Sequence, residues 1–348
     1  MKKLFSIVLV VCMLLTLVAC EAKKAEDKPA NAPVSATESK ADDTVYTIRI
    51  AIVSSDSHLH NIVLNEWAAD ALEKTDGRLV LQVMGSSQLG GERDYVEGMQ
   101  LGSIEMCQVS SGPVASFLPD FNLLSFPYFF EDYAAMEDVF NGEVGEYLFG
   151  QLETMGIKGL TWFTNGYRSV YSNKEVHKPE DLNGLKIRVM ESSLMIETLN
   201  AMGASAMPMA YSELYSAIQQ GVMDGAENAL GNIMADKYYE ICKNVSLTEH
   251  FAPPGVVAIS METYNKLPKD LQEYLVTSAQ EFGKMERERD EVLQGETADA
   301  LVEAGCTVNE VDKDAFIAAT EVIYSKFAGD LNPELIEIVE RTMGKNFG

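Results

Sequence analysis

The sequence is short of positive charge. Its 27 lysines and arginines stand against 53 aspartates and glutamates, for a formal charge of −26. No Lys/Arg-rich run occurs along it, and without such stripes a chain has no means of displacing counterions from a phosphate backbone, so nucleic acid is not an expected partner. The acidity favours solubility. It also sets a condition on any anionic ligand, which must be held by locally placed cations. Cysteine is scarce as well: five are present, with no CxxC pair and wide separations, which excludes a disulfide framework and a zinc ribbon. Cys107, Cys242 and Cys306 read as single buried thiols. The histidines are His58, His60, His177 and His250. His58 and His60 would make half a metal site, but no third acidic or thiol partner stands at ligand spacing, so neither metal nor cofactor is expected. Gly-x-Ser-x-Gly, His-Glu-x-x-His and phosphate-loop patterns are all missing, and Gly90-Gly91-Glu92 lacks the surroundings of a nucleotide site. With no nucleophile–base pair in view, the chain is not expected to be an enzyme.

Long apolar runs are limited to one. Lys2 and Lys3 precede an apolar stretch over residues 4–18, followed by Leu17-Val18-Ala19-Cys20, the order of an export signal and its cleavage site. The stretch is about 15 residues, short of the roughly 20 that span a bilayer core. A small residue followed by cysteine resembles the bacterial lipobox. That implies a signal over residues 1–19, acylation of Cys20, and anchoring to the outer face of the membrane by two or more acyl chains. Residues 20–44 hold Ala, Lys, Glu, Asp, Ser and Pro, with Val34 the only large apolar side chain. They read as a flexible tether with a reach of roughly 25–30 Å.

From residue 45 onward about 300 residues remain, more than one ordinary core organises, so two lobes are expected. Residues 46–52 alternate as a strand with Ile48, Ile50 and Ile52 on one face. A helix follows over 61–74, carrying Ile62, Val63, Trp67, Ala71 and Leu72. Asp76-Gly77 turns the chain into a β-rich segment at 78–84. A second opening of this kind places strands at 157–163, 168–173 and 185–189. The spacing of Leu214, Ala217 and Ile218 predicts a helix over 212–220, with Ser212 as N-cap and Gly221 as its stop. Between Pro268 and Ala304 there is no proline, and Leu271, Leu275, Ala279, Phe282 and Met285 recur at helical intervals. A helix of about 35 residues would be roughly 50 Å long, enough to run along both lobes, with Gly283 and Gly295 as candidate bends. Asn332-Pro333 opens a final helix.

Several of these segments carry a resemblance. Ser87-Gln88-Leu89-Gly90-Gly91-Glu92-Arg93, Phe126-Pro127-Tyr128-Phe129-Phe130, Asn165-Gly166-Tyr167-Arg168, the Gly184-Leu185-Lys186-Ile187-Arg188 run, residues 207–215, residues 220–228 and Leu247-Thr248-Glu249-His250 together resemble the solute-binding subunit of tripartite ATP-independent periplasmic (TRAP) transporters, the dicarboxylate-binding-protein type. The series covers nearly the whole chain after the tether. The resemblance implies a two-lobed α/β fold like that of type II periplasmic binding proteins, with crossing strands and a long shared helix between the lobes. The implied boundaries are 45–165 plus 254–293 for lobe I and 166–253 plus 294–348 for lobe II. It also implies that the chain works as a monomer that hands its ligand to small and large integral membrane subunits.

Arg188 lies in a strand whose neighbours Ile187 and Val189 face a core, so alternation puts it on the other face, and an unpartnered guanidinium there is costly. Position alone leaves open a structural salt bridge. The resemblance makes Arg188 the clamp on a ligand carboxylate, through two parallel charge-assisted hydrogen bonds that lysine does not reproduce. It brings Arg168 to the same acid, the alternative being a solvated strand-edge arginine. It places Asn228, with one acceptor and two donors, against the ligand, and Tyr211 over one of its faces unless that ring is core. Ala226 departs from the family's usual glutamine. Glu92, Ser110, Ser54 and His58 complete the expected cleft, while His250 reads as structural. Two arginines and an asparagine suit an organic acid. The hydroxyl-matching groups favour a sugar acid, a uronate or aldonate, over a C4-dicarboxylate, and either over a surface enzyme's substrate.

Overall fold

The computed structural model describes residues 44–345 and residue 347; the export signal, Cys20 and all of the tether before Thr44 lie outside them. In chain order the first elements are β1 (Tyr46–Ala51), α1 (Leu59–Lys74), β2 (Leu79–Met84), α2 (Glu92–Gln100), β3 (Met106–Ser110), α3 (Ser111–Val114), α4 (Tyr133–Phe140), α5 (Glu143–Thr154) and β4 (Ile157–Phe163). There follow β5 (Arg168–Ser172), β6 (Lys186–Val189), α6 (Ser193–Ala201), β7 (Ser205–Pro208), α7 (Tyr211–Gln219), β8 (Gly225–Ala229), α8 (Leu230–Ala235) and β9 (Asn244–Phe251). The chain closes with β10 (Gly255–Ser260), α9 (Met261–Lys266), α10 (Lys269–Glu303), β11 (Thr307–Asn309), α11 (Lys313–Phe327) and α12 (Pro333–Met343).

Two sheets organise the lobes. Lobe I is built on the order β2-β1-β3-β10-β4 and lobe II on β11-β9-β5-β8-β6-β7. β1 runs parallel to β2 and β3, while β10 is antiparallel to β3 and β4. In lobe II, β6 is parallel to β7 and β8, and β5 is antiparallel to β8 and β9. The chain crosses between sheets twice, from β4 into β5 and from β9 back into β10, so each crossing joins strands that neighbour the other crossing's strands. Gly166 takes φ +63° in the first crossing, a left-handed turn where Gln294 would collide with any Cβ.

α10 is the third connection. Its first half packs on α1 and β4 and its second on α8 and β11, and it runs unbroken for 35 residues. The Trp67 indole N–H donates to Ser278 Oγ at 2.8 Å, tying α1 to α10 inside the lobe I core. At Gly283 a Cβ would strike the Thr161 side chain of β4, so this glycine sets how closely helix and strand approach. Ser212 is not a cap. α7 starts one residue earlier, with Ala210 at its N-cap, because Tyr211 is already helical. Asn332 does cap α12, accepting from the Glu334 N–H at 3.0 Å. The last two helices pack on both lobes, α11 on α6 and α12 on α5. Cys107, Cys242 and Cys306 are buried free thiols. Among the described residues no helix is long and apolar enough to cross a membrane.

Candidate functional site

Strands of both sheets end at the cleft, the position where open α/β sheets bind ligands. A small, polar-lined cavity lies there. Lobe I supplies Val53, Ser54 and His58 from the loop after β1, His60 from α1, Glu92 from the first turn of α2, and Gln108 and Ser110 from β3. Lobe II supplies Arg168 from β5, Arg188 and Met190 from the end of β6, Tyr211 from α7, Asn228 from β8 and Asn232 from α8, and Asn165 sits in the crossing. All eight residues expected from sequence therefore line one cavity. His60, Gln108, Asn165 and Asn232 were not expected there. One of these had a usable signal: Gln108 shares a strand face with Ser110, two residues on.

The two arginines differ in their partners. Arg168 Nε donates to Glu227 Oε2 at 2.5 Å, Nη2 to Glu227 Oε1 at 2.9 Å and to the Glu227 carbonyl at 2.8 Å, and Nη1 to Asn228 Oδ1 at 2.7 Å. Burial alone would lower its pKa, but the Glu227 carboxylate outweighs burial and raises it. Far from being a solvated edge residue, Arg168 is 3 % exposed. The structural ion pair left open for Arg188 belongs instead to Arg168. Arg188, 2 % exposed, donates through Nε to the Met209 carbonyl at 2.8 Å and lies 5.7 Å from the Tyr211 ring centre. Among the described residues no carboxylate pairs with it.

Asn228 is restricted by its neighbours. Its Oδ1 accepts from Arg168, from the Ala229 N–H at 2.9 Å and from Asn232 Nδ2 at 2.9 Å, so only its Nδ2 donors remain for the cavity. Glu92 Oε1 accepts the Ser110 N–H at 2.6 Å. Ser54 Oγ and Gln108 Nε2 are buried with no hydrogen-bond partner among the described residues, an arrangement that is expensive unless a ligand supplies one.

The histidines are buried in a mutual network. Their rings meet edge-on at 4.5 Å between centres. Burial, and then the charge of His60, pulls His58 down to about 4. For His60 burial acts downward too, but the Glu286 carboxylate at 3.2 Å and the Thr164 carbonyl at 2.8 Å carry it above its ordinary value. Behind them, burial and the charge of Glu286 push Asp290 up to about 7. His250, on β9, is held by Thr248 Oγ1 at 2.8 Å and lies outside the cavity lining.

A two-lobed α/β body with a buried cation facing the interlobe cavity defines a solute-binding protein. The chain belongs to the DctP family of TRAP solute-binding proteins: the model of "bacterial extracellular solute-binding protein, family 7" matches residues 50–330. A solute-binding protein of Verminephrobacter eiseniae is 32% identical over 293 residues, 84% of this chain and 88% of the relative. The 2,3-diketo-L-gulonate-binding periplasmic protein YiaO of Escherichia coli is 32% identical over 272 residues, 78% and 83% of the two chains. The C4-dicarboxylate-binding periplasmic protein DctP of Rhodobacter capsulatus is 32% identical over 279 residues, 76% and 81%. Two solved structures cover 86% of this chain. A TRAP periplasmic solute-binding protein of a Sulfitobacter species with bound β-D-galacturonate aligns over its full length, at 30% identity and TM-score 0.81. One from Citrobacter koseri with bound D-glucuronate aligns over 98% of its length, at 31% identity and TM-score 0.79. Proteins of this family act outside the cytoplasm, bind small organic acids and work with membrane subunits.

Proposed function

We propose that this protein captures a sugar acid carrying one carboxylate, a uronate or aldonate, in the interlobe cavity and delivers it chemically unchanged to TRAP membrane subunits. One observation carries the reading: Arg188 is the cavity arginine with no carboxylate partner among the described residues, whereas Arg168 is neutralised by Glu227. Among the described residues the cavity then holds one unpaired cation, Arg188, which can neutralise one ligand carboxylate, and the Glu92 carboxylate in the same lining disfavours a second. A second would be desolvated without compensation, which is costly. The remaining groups suit hydroxyls: Glu92 as acceptor, Asn228 Nδ2 and Gln108 Nε2 as donors, and Ser54 Oγ as either. The galacturonate and glucuronate bound in the Sulfitobacter and Citrobacter structures are acids of this kind. The Rhodobacter relative's name favours a C4-dicarboxylate, and the charge count speaks against it. In this reading the chain acts as a monomer, held at the membrane surface through acylated Cys20 and the tether that follows it.

A thermal-shift screen of the full-length chain tests this. D-galacturonate, D-glucuronate or L-gulonate at 100 times its dissociation constant should add about 2.7 kcal/mol of stability. A shift with succinate or malate and none with the sugar acids would overturn the assignment.

A further inference from the structure

Each cavity arginine of lobe II is connected through side chains to one loop of lobe I. The first route starts at Arg168. Its Nη1 and the Ala229 N–H can only donate, and both point at Asn228 Oδ1, so that atom is an oxygen. Asn232 must then present Nδ2 to it and offer its own Oδ1 to His58, whose Nε2 lies 2.6 Å away across the cleft. His58 must therefore carry its proton on Nε2. Its Nδ1 is left to accept, and the His60 N–H reaches it at 3.1 Å. No flip of an amide or ring satisfies this chain in any other way.

The second route starts at Arg188. The guanidinium lies against the Tyr211 ring, the Tyr211 hydroxyl donates to Asp236 Oδ2 at 2.6 Å, and Asp236 Oδ1 accepts the Ser55 N–H at 3.3 Å. Asn232 and Asp236 are four residues apart on α8 and its C-cap, hence on one face. Between them the Ala235 carbonyl accepts from Ser57 Oγ at 3.0 Å. The cross-lobe bonds of this seam thus fall on residues 55–58 from one side and 232–236 from the other.

We propose that Asn232 and Asp236 form a closure latch, positioning residues that turn occupation of the cavity at Arg188 and Asn228 into docking of the 55–58 loop and so set how long the ligand is held. A ligand that accepts from Asn228 Nδ2 and sits on Arg188 beside the Tyr211 ring fixes both side chains. These in turn hold Asn232 and Asp236 in the orientation that lobe I accepts. The latch rests on the cavity being the ligand site. It acts on dissociation and leaves encounter to the arginines.

Stopped-flow binding of D-galacturonate and of succinate to the full-length chain tests it, with X-ray scattering to follow compaction on ligand addition. For the probe that binds, Asn232→Ala and Asp236→Ala should each raise the dissociation rate about 10- to 100-fold, leave the association rate within about twofold, and reduce the compaction. His58→Ala, made on the opposite lobe, should match Asn232→Ala, and the double variant should release ligand no faster than the faster single one. Wild-type dissociation rates in both α8 variants, or additive effects of His58→Ala and Asn232→Ala, would overturn the latch while leaving the function intact. A wild-type chain that binds neither probe contradicts both.

Discussion

At Arg168 four guanidinium contacts are internal, three to Glu227 and one to Asn228, while at Arg188 the hydrogen bond found among the described residues goes to a backbone carbonyl. The two residues should therefore fail differently. Arg188→Ala or Arg188→Lys should leave folding intact and weaken ligand binding by about 2–5 kcal/mol, roughly 30-fold to a few thousand-fold, as read by calorimetry. Glu227→Ala leaves a buried guanidinium without its counterion, and should lower the unfolding free energy by about 3–5 kcal/mol in denaturant titration. Unchanged stability would mean that Arg168 is neutralised in some other way. Arg188 was legible because the alternation of Ile187, Arg188 and Val189 fixes its face. The pairing of Arg168 was not, because Glu227 is 59 residues away and the β5–β8 register that aligns them is a tertiary fact.

Among the elements, α10 shows how far periodicity reads and where it stops. Its 35-residue span follows from the apolar spacing and the lack of proline between Pro268 and Ala304. The roles of its glycines do not, since a bend and a close approach make the same demand on sequence. The contacts separate them: a Cβ at Gly283 meets Thr161, and one at Gly295 meets nothing within 4 Å. Gly295→Ala should then gain up to about 1 kcal/mol from helix propensity. Gly283→Ala should lose about 1–3 kcal/mol by overpacking. Melting temperatures of the two variants, moving in opposite directions, check the pair; a gain at both would show that α10 and β4 have slack. The misplaced N-cap at Ser212 is a smaller case, in which a serine one residue inside the helix looks in sequence like the residue that starts it.

For the whole molecule, buried histidines in an acidic protein link stability to pH. Burial, and then the nearby Arg168 charge, pulls His250 down to about 3 from an ordinary 6.5. Between those values the unfolded chain binds a proton that the folded chain refuses, so stability is lost as pH falls from 6.5 towards 3. His250→Gln removes this contribution. Wild type should lose stability faster than the variant across that window, by up to about 1.4 kcal/mol per pH unit; parallel pH profiles would show that His250 is not the group responsible. The two-lobe architecture was legible from two separate β-rich openings and a helix too long for one lobe. The seam between α8 and residues 55–58 was not, because its members are more than 170 residues apart and meet only when the lobes do. The central claim is a charge count: among the described residues one unpaired cavity cation, Arg188, for one ligand carboxylate. It is tested most directly by calorimetric titration of the full-length chain with D-galacturonate and with galactarate, the same carbon chain ending in two carboxylates. The account predicts tight one-to-one binding of galacturonate and at least about 100-fold weaker binding of galactarate; equal or tighter binding of the diacid would contradict it.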